Sequence, residues 1–212
     1  MIKTNNLENK NSVSETPQRT RTLSGRKPDD LEVIRSVREG NTSDFSILMD
    51  RYKNKAFSLI LRMLKNRMDA EEVLQDCFVK AWKNLDSFKG DSQFATWFYR
   101  IVYNTTLTKL TGKKRETEKE MLSIGEDVDI RDEHADTSAA TLERNRLLGA
   151  LIAMLTPNQA AVVNLFYLDG LSCEEIAGIL DTNVGNVKTL LHRSRATLKN
   201  LIQKKNLHEE LR

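Results

Sequence analysis

Between Asp69 and Arg115 apolar residues return every three or four positions, interrupted by one short polar stretch. That spacing commits the region to helix, loop and helix. Ala70, Leu74, Cys77, Ala81 and Leu85 are spaced by four, three, four and four residues, one buried stripe on the first helix. Asp69 followed three residues later by Glu72 reads as its start, with Asp69 as the N-cap. Phe78, Val79 and Trp82 lie beside the stripe, next to polar Gln75, Asp76 and Lys83. A helix with more apolar surface than one core uses has room for a second partner.

The second helix, from Ser92 to about Thr111, carries two chemically different faces. Phe94, Phe98, Ile101 and Thr105 form the core face; Trp97, Arg100, Asn104 and Thr108 recur at offsets of three, four and four on another. From Ser92 to Arg115 there is no acidic residue, while Arg100, Lys109, Lys113, Lys114 and Arg115 are basic. Aromatics, an amide and unopposed cations together suit single-stranded or partly melted nucleic acid. Cations hold phosphates, rings stack on exposed bases, and the amide reads a base edge. The preceding loop runs Asp86-Ser87-Phe88-Lys89-Gly90-Asp91, with Gly90 supplying conformational freedom and Ser92 a cap.

A second DNA-binding pattern closes the chain. Thr156-Pro157-Asn158-Gln159 opens one helix, with Pro at its first position, and Asp169-Gly170 ends it. Ser172 and Glu175 form a capping box before Ile176, Ala177 and Leu180; Asp181-Thr182-Asn183 makes a tight turn; and a longer helix starts near Val184. Short helix, turn and longer helix is a helix-turn-helix, which lays its second helix in the DNA major groove. Val184 to Lys205 again has no acid. Gly185, Asn186, Lys188, Thr189, His192 and Arg193 are exposed on its leading half, with Arg195 beyond them on the phosphates. Asn and Arg can pair with adenine and guanine edges.

Before and between these patterns lie three other stretches. Residues 1–28 are polar and carry Lys3, Lys10, Arg19, Arg21, Arg26 and Lys27, a flexible basic arm. Asp29–Glu39 reads as a short amphipathic helix with Leu31, Ile34 and Val37 on one side. Ser43–Leu64 is a longer one through Phe45, Leu48, Met49, Tyr52, Ala56, Leu59 and Met63. Glu116 to Asp136 reverses the charge, with nine acids against Lys119 and Arg131, and reads as a linker. The expected organisation is all-α: arm 1–28, a helical domain 29–115, acidic linker 116–138, a second helical domain 139–205 and a tail 206–212.

The runs DAEEVLQDCFVKAW and LDSFKGDSQFATWFYRIVYNT resemble the second conserved region of bacterial RNA polymerase sigma factors of the extracytoplasmic-function type. SCEEIAGILDTNVGNVKTLLHRSR resembles their fourth region. The resemblance covers roughly residues 29–205 and implies a promoter-specificity subunit. It implies docking on the polymerase β′ clamp through Gln75, Asp76, Phe78, Val79, Trp82 and Lys83. It implies capture of the minus-ten strand by Phe88, Lys89, Gly90, Asp91, Ser92, Trp97, Arg100, Asn104 and Lys109. The last helix would read the minus-thirty-five duplex, with its domain on the β flap. By the same resemblance the acidic linker threads the polymerase cleft, where its alternative is a solvated spacer. An anti-sigma factor is implied as a further partner.

Other chemistries find no support. Cys77 and Cys173 stand far apart within helical patterns, which fits a reducing compartment; Cys77 reads as a buried passenger or, alternatively, a thiol switch. His134, His192 and His208 are scattered without metal-ligand spacing, and no cofactor or catalytic set is expected. The amino terminus lacks an apolar export signal and no run approaches the length of a membrane span, so the expected location is cytoplasmic. The alternatives are a stand-alone helix-turn-helix regulator and a helical adaptor that binds partners rather than DNA.

Overall fold

The computed structural model describes residues 28–120 and 139–204, and among these every regular element is helical. The arm before Pro28, the acidic segment beyond Glu120 and the carboxy-terminal tail lie outside the described residues. Helix α1 (Asp30–Arg38) is opened by Asp29, whose carboxylate accepts from the Glu32 N–H at 2.8 Å while Glu32 reaches back to the Asp29 N–H at 2.9 Å. It buries Val33, Ile34 and Val37; Leu31, expected on that side, is 55% exposed. A 3₁₀ turn (Thr42–Asp44) leads into α2 (Phe45–Leu64), which ends at Lys65 in the left-handed region. Met49 faces outward on α2, whereas Arg62 is buried.

Helix α3 (Arg67–Lys83) begins earlier than its sequence signal. Asn66, not Asp69, is the N-cap, accepting from the Asp69 N–H at 3.0 Å. Asp69 is thereby freed to face α4 (Phe94–Glu120), which runs nine residues past its expected end and takes in the first part of the acidic segment. Ala70, Cys77, Ala81 and Leu85 are buried as their spacing requires. Phe98 is fully buried at the centre of this group, stacked on Phe78 at 4.9 Å and flanked by Tyr52 at 5.8 Å.

The second group comprises α5 (Ala139–Ala153), α6 (Pro157–Val163), α7 (Cys173–Leu180) and α8 (Val184–Lys204). Gln159 accepts from the Thr156 N–H at 3.2 Å, and Glu175 from the Ser172 N–H at 2.8 Å, so both expected capping boxes form. One element has no sequence signal: after α6 the chain widens into a π-helical turn, Asn164–Leu168, before Asp169 and Gly170 stop it. The two groups are packed on one another, α2 against α6 and α4 against α7, and share one continuous apolar core.

Candidate nucleic-acid interface

The loop between α3 and α4 is anchored from beneath. Asn84 ends α3, donating from its amide to the Lys80 carbonyl at 2.8 Å, and a 3₁₀ turn follows over Leu85–Ser87. Leu85 and Phe88 point into the core. The Phe88 ring lies 5.7 Å from Phe94 and 5.4 Å from Trp97, so Phe88 supports the loop rather than offering itself to solvent. Lys89, Gly90, Asp91 and Ser92 are exposed, and Gly90 adopts φ 82°, a conformation that glycine takes without strain. The loop and the start of α4 thus present a polar rim over an aromatic floor.

Along α4 the expected second face is present. Trp97 is half-buried against Phe88 and Phe94; Arg100, Asn104 and Thr108 are exposed. Lys109 is different. Its ammonium meets Glu72 at 2.7 Å and Asp69 at 3.7 Å, and Lys113 also pairs with Asp69, whose side chain is only 13% exposed. The Glu72 hydrogen bond above all holds the Lys109 ammonium above the usual lysine value. A partly desolvated carboxylate recruits these cations, so in this structure Lys109 clamps α4 to the first turn of α3 instead of standing free for phosphate.

The candidate docking face on α3 is largely solvent-exposed: Gln75, Asp76, Val79, Trp82 and Lys83 line one side. Trp82 is 41% exposed and rests its edge on Phe45 at 5.0 Å. Phe78, placed on the same face by the sequence, is instead core. Its ring completes the stack on Phe98 and supports the face from below.

The helix-turn-helix forms as expected. Asp181 takes φ 52°, ending α7; Asn183 accepts from the Asn186 N–H at 2.8 Å, capping α8. Gly185, Asn186, Lys188, Thr189, His192, Arg193 and Arg195 are all exposed, while Val187 and Leu191 hold the helix to the core. The Asn186 amide donates to Thr182 at 3.0 Å, and Arg195 donates to the Tyr167 hydroxyl at 2.5 Å with its guanidinium over that ring. These polar and basic groups therefore stand together on one exposed face.

Between the two helical groups lies a buried polar set that sequence reasoning missed. Arg62 on α2 donates to Asn164 Oδ1 at 2.5 Å, and Asn164 donates to Asp169 Oδ2 at 2.8 Å. Lys55 lies 3.7 Å from Asp169, and the Tyr99 hydroxyl faces the same carboxylate. Burial raises the Asp169 carboxyl above its ordinary range, against the opposing pull of Lys55, Tyr99, Asn164 and Arg62. The π-helical turn is what places Asn164 and Asp169 side by side: the Asp169 N–H bonds to the Asn164 carbonyl at 3.0 Å. At the edge of the contact Tyr103 donates to Asn158 at 3.1 Å, and Arg100 meets Asp181 at 3.3 Å. One of the two candidate DNA faces thus touches the other domain, while the leading face of α8 stays open.

Among the described residues no group of side chains could hold a metal ion, and no helix is long and apolar enough to cross a membrane. Residues 48–116 match the family model Sigma-70 region 2, and residues 145–198 match Sigma-70, region 4. The chain is 33% identical to the ECF RNA polymerase sigma-E factor of Haemophilus influenzae, an alignment covering 82% of this chain and 95% of that protein. It is 33% identical to the ECF RNA polymerase sigma factor SigW of Bacillus subtilis, covering 78% of this chain and 92% of that one. Among solved structures, the sigma factor RpoE in complex with the anti-sigma factor NepR from Bartonella quintana has a similar fold. Its TM-score is 0.63 at 21% identity, covering 76% of this chain and 97% of that one. CnrH in complex with the cytosolic domain of CnrY gives a TM-score of 0.56 at 25% identity, covering 81% and 96%.

Proposed function

The chain belongs to the ECF RNA polymerase sigma factors, and on that premise we propose how it divides promoter recognition between its two helical groups. As a sigma factor, like the relatives named so, it is a transcription-initiation subunit rather than an enzyme. The Lys89–Ser92 rim and the Trp97, Arg100 and Asn104 face hold the non-template strand of the minus-ten element. The exposed leading face of α8 reads the minus-thirty-five duplex, and the Gln75, Asp76, Val79, Trp82 and Lys83 face docks on the polymerase β′ clamp. The observation that carries this reading is the exposed face of α4 through Trp97, Arg100, Asn104 and Thr108, free of acids and beside an aromatic floor. A regulator acting through the helix-turn-helix alone has no use for it.

Both elements cannot be served by the packed arrangement. Their positions place them about 25 base pairs apart, and at 3.4 Å per pair that is roughly 85 Å. A packed unit of this size has a radius of gyration of only about 15 Å. The contacts of α2 and α4 with α6 and α7 must therefore part when both elements are engaged. An anti-sigma factor is a further partner on this reading; the similarly folded RpoE of Bartonella quintana was solved in complex with one.

Runoff transcription with purified core polymerase and a genomic fragment library tests the whole. Initiation at a defined promoter set only in the presence of the chain is the expected result. Failure to associate with core enzyme, or equal initiation without the chain, would overturn it.

A further inference from the structure

Arg38 belongs to α1, far in sequence from any residue assigned to DNA, yet its guanidinium reaches the underside of the α3–α4 loop. Its Nη2 donates to the Phe88 carbonyl at 2.5 Å and the Leu85 carbonyl at 2.7 Å, with the Asp86 carbonyl at 3.3 Å. One planar cation gathers three main-chain oxygens within four residues. The contact with the Asp86 carboxylate is looser, 3.9 Å to an almost fully exposed group, and adds little. The loop is thus gripped twice. Leu85 and Phe88 hold it by their buried side chains, and Arg38 holds it by its carbonyls.

What leaves this grip is the exposed run Lys89–Ser92, hinged at Gly90. Leu85 and Phe88 alone fix how deep the loop sits. The two short bonds, to the Leu85 and Phe88 carbonyls, fix the orientation of its peptide planes, and hence the direction in which Lys89 departs. We propose that Arg38 is a positioning residue for minus-ten strand capture: it touches no DNA and sets the geometry of the segment that does. This rests on the strand-capture reading above. A guanidinium suits the task because its terminal NH2 is held in the plane of the group and presents two N–H bonds in fixed directions, where an ammonium is a point charge on a flexible stem. In enzyme sites a misplacement of about 1 Å caused by a remote substitution costs up to about 100-fold, so an effect of about tenfold here is reasonable despite the distance from DNA.

The test uses holoenzyme assembled from core polymerase and the full chain, with a fork-junction DNA library. The library is randomised both in the minus-ten single strand and in the minus-thirty-five duplex, and bound molecules are sequenced. For Arg38→Ala the base preference in the single strand should flatten by about tenfold or more at the loop-read positions. The minus-thirty-five preference and the affinity for core should stay as in wild type. Arg38→Lys should fall between the two, keeping the charge without the planar, fixed N–H directions. An unchanged single-strand preference in Arg38→Ala overturns the proposal, as does equal loss of both preferences, which marks a merely structural residue. If the wild type itself shows no single-strand preference, the strand-capture reading fails first, and the two failures are told apart by that one arm.

Discussion

Asn164→Ala removes one neutral amide and leaves two charges with lost partners in the contact between the helical groups. Arg62 loses the acceptor at 2.5 Å, and Asp169 loses the donor at 2.8 Å. A hydrogen bond to a charged group contributes about 1.5–3 kcal/mol, so the pair sums to roughly 3–6 kcal/mol if the groups stay buried. They need not stay buried. Parting the two groups returns Arg62 and Asp169 to water, so the cost cannot exceed the free energy that holds the contact shut. The expected outcome is therefore separation, not unfolding. At about 1.4 kcal/mol per tenfold, the packed population should fall by on the order of 100-fold while helix content is unchanged. Donor and acceptor dyes on exposed Glu71 of α3 and Lys199 of α8 would read this as a longer distance, with circular dichroism as the control. Acidification should act oppositely. The Asp169 carboxyl is raised by burial in the packed form and returns to its ordinary range on separation, so the packed form binds the proton more tightly. Packing then strengthens as pH falls through the window between those two values, and the Asp169→Asn variant loses that dependence. A dye distance identical in wild type and Asn164→Ala would refute the reasoning, because the polar set would then not hold the groups together.

Other substitutions test the parts separately. Asn104→Ala should weaken open-complex formation at one base position of the minus-ten strand with core affinity retained; equal loss on all sequences would argue against base reading. Asp76→Ala should lower core affinity in a pull-down and leave DNA preferences alone. Cys77 is fully buried and its thiol is pushed up to about 12 by burial, so in the native chain iodoacetamide at neutral pH should alkylate half-exposed Cys173 first. Mass spectrometry should show Cys77 modified only after unfolding, and early labelling would revive the thiol-switch reading. Ser172→Ala should cost about 1 kcal/mol in thermal unfolding, because α7 loses the oxygen that accepts from Glu175 at 3.1 Å.

How much of this was legible in the sequence follows from where each residue's partners lie. Caps are local, so Ser172 with Glu175 and Thr156 with Gln159 were readable within four residues. The stripe through Cys77 and the exposed face through Asn104 were readable because helical spacing alone sorts side chains into in and out. Asp69 misled because it carries a cap's side chain next to a better-placed Asn66, and its actual partners sit on α4, about 40 residues away. Phe78 misled for a similar reason: periodicity put it beside the docking face, but the neighbouring ring of Phe98 drew it inward.

Arg62 shows the limit most clearly. A pattern reading expects an arginine late in an amphipathic helix to face water, yet it is 4% exposed because Asn164, 102 residues later, meets it. The meeting depends in turn on a π-helical turn, and nothing in the spacing of NLFYL distinguishes that turn from a continuing α-helix. A buried ion needs a specified partner, and here the two halves of that specification lie in different domains. The same holds for Arg38, whose acceptors are main-chain carbonyls that any sequence would supply. Sequence therefore marked the candidate nucleic-acid faces as outward-facing, since those residues keep their periodicity. The groups that position them or mask them are fixed by tertiary contact, and their substitutions are the ones whose effects should propagate between domains.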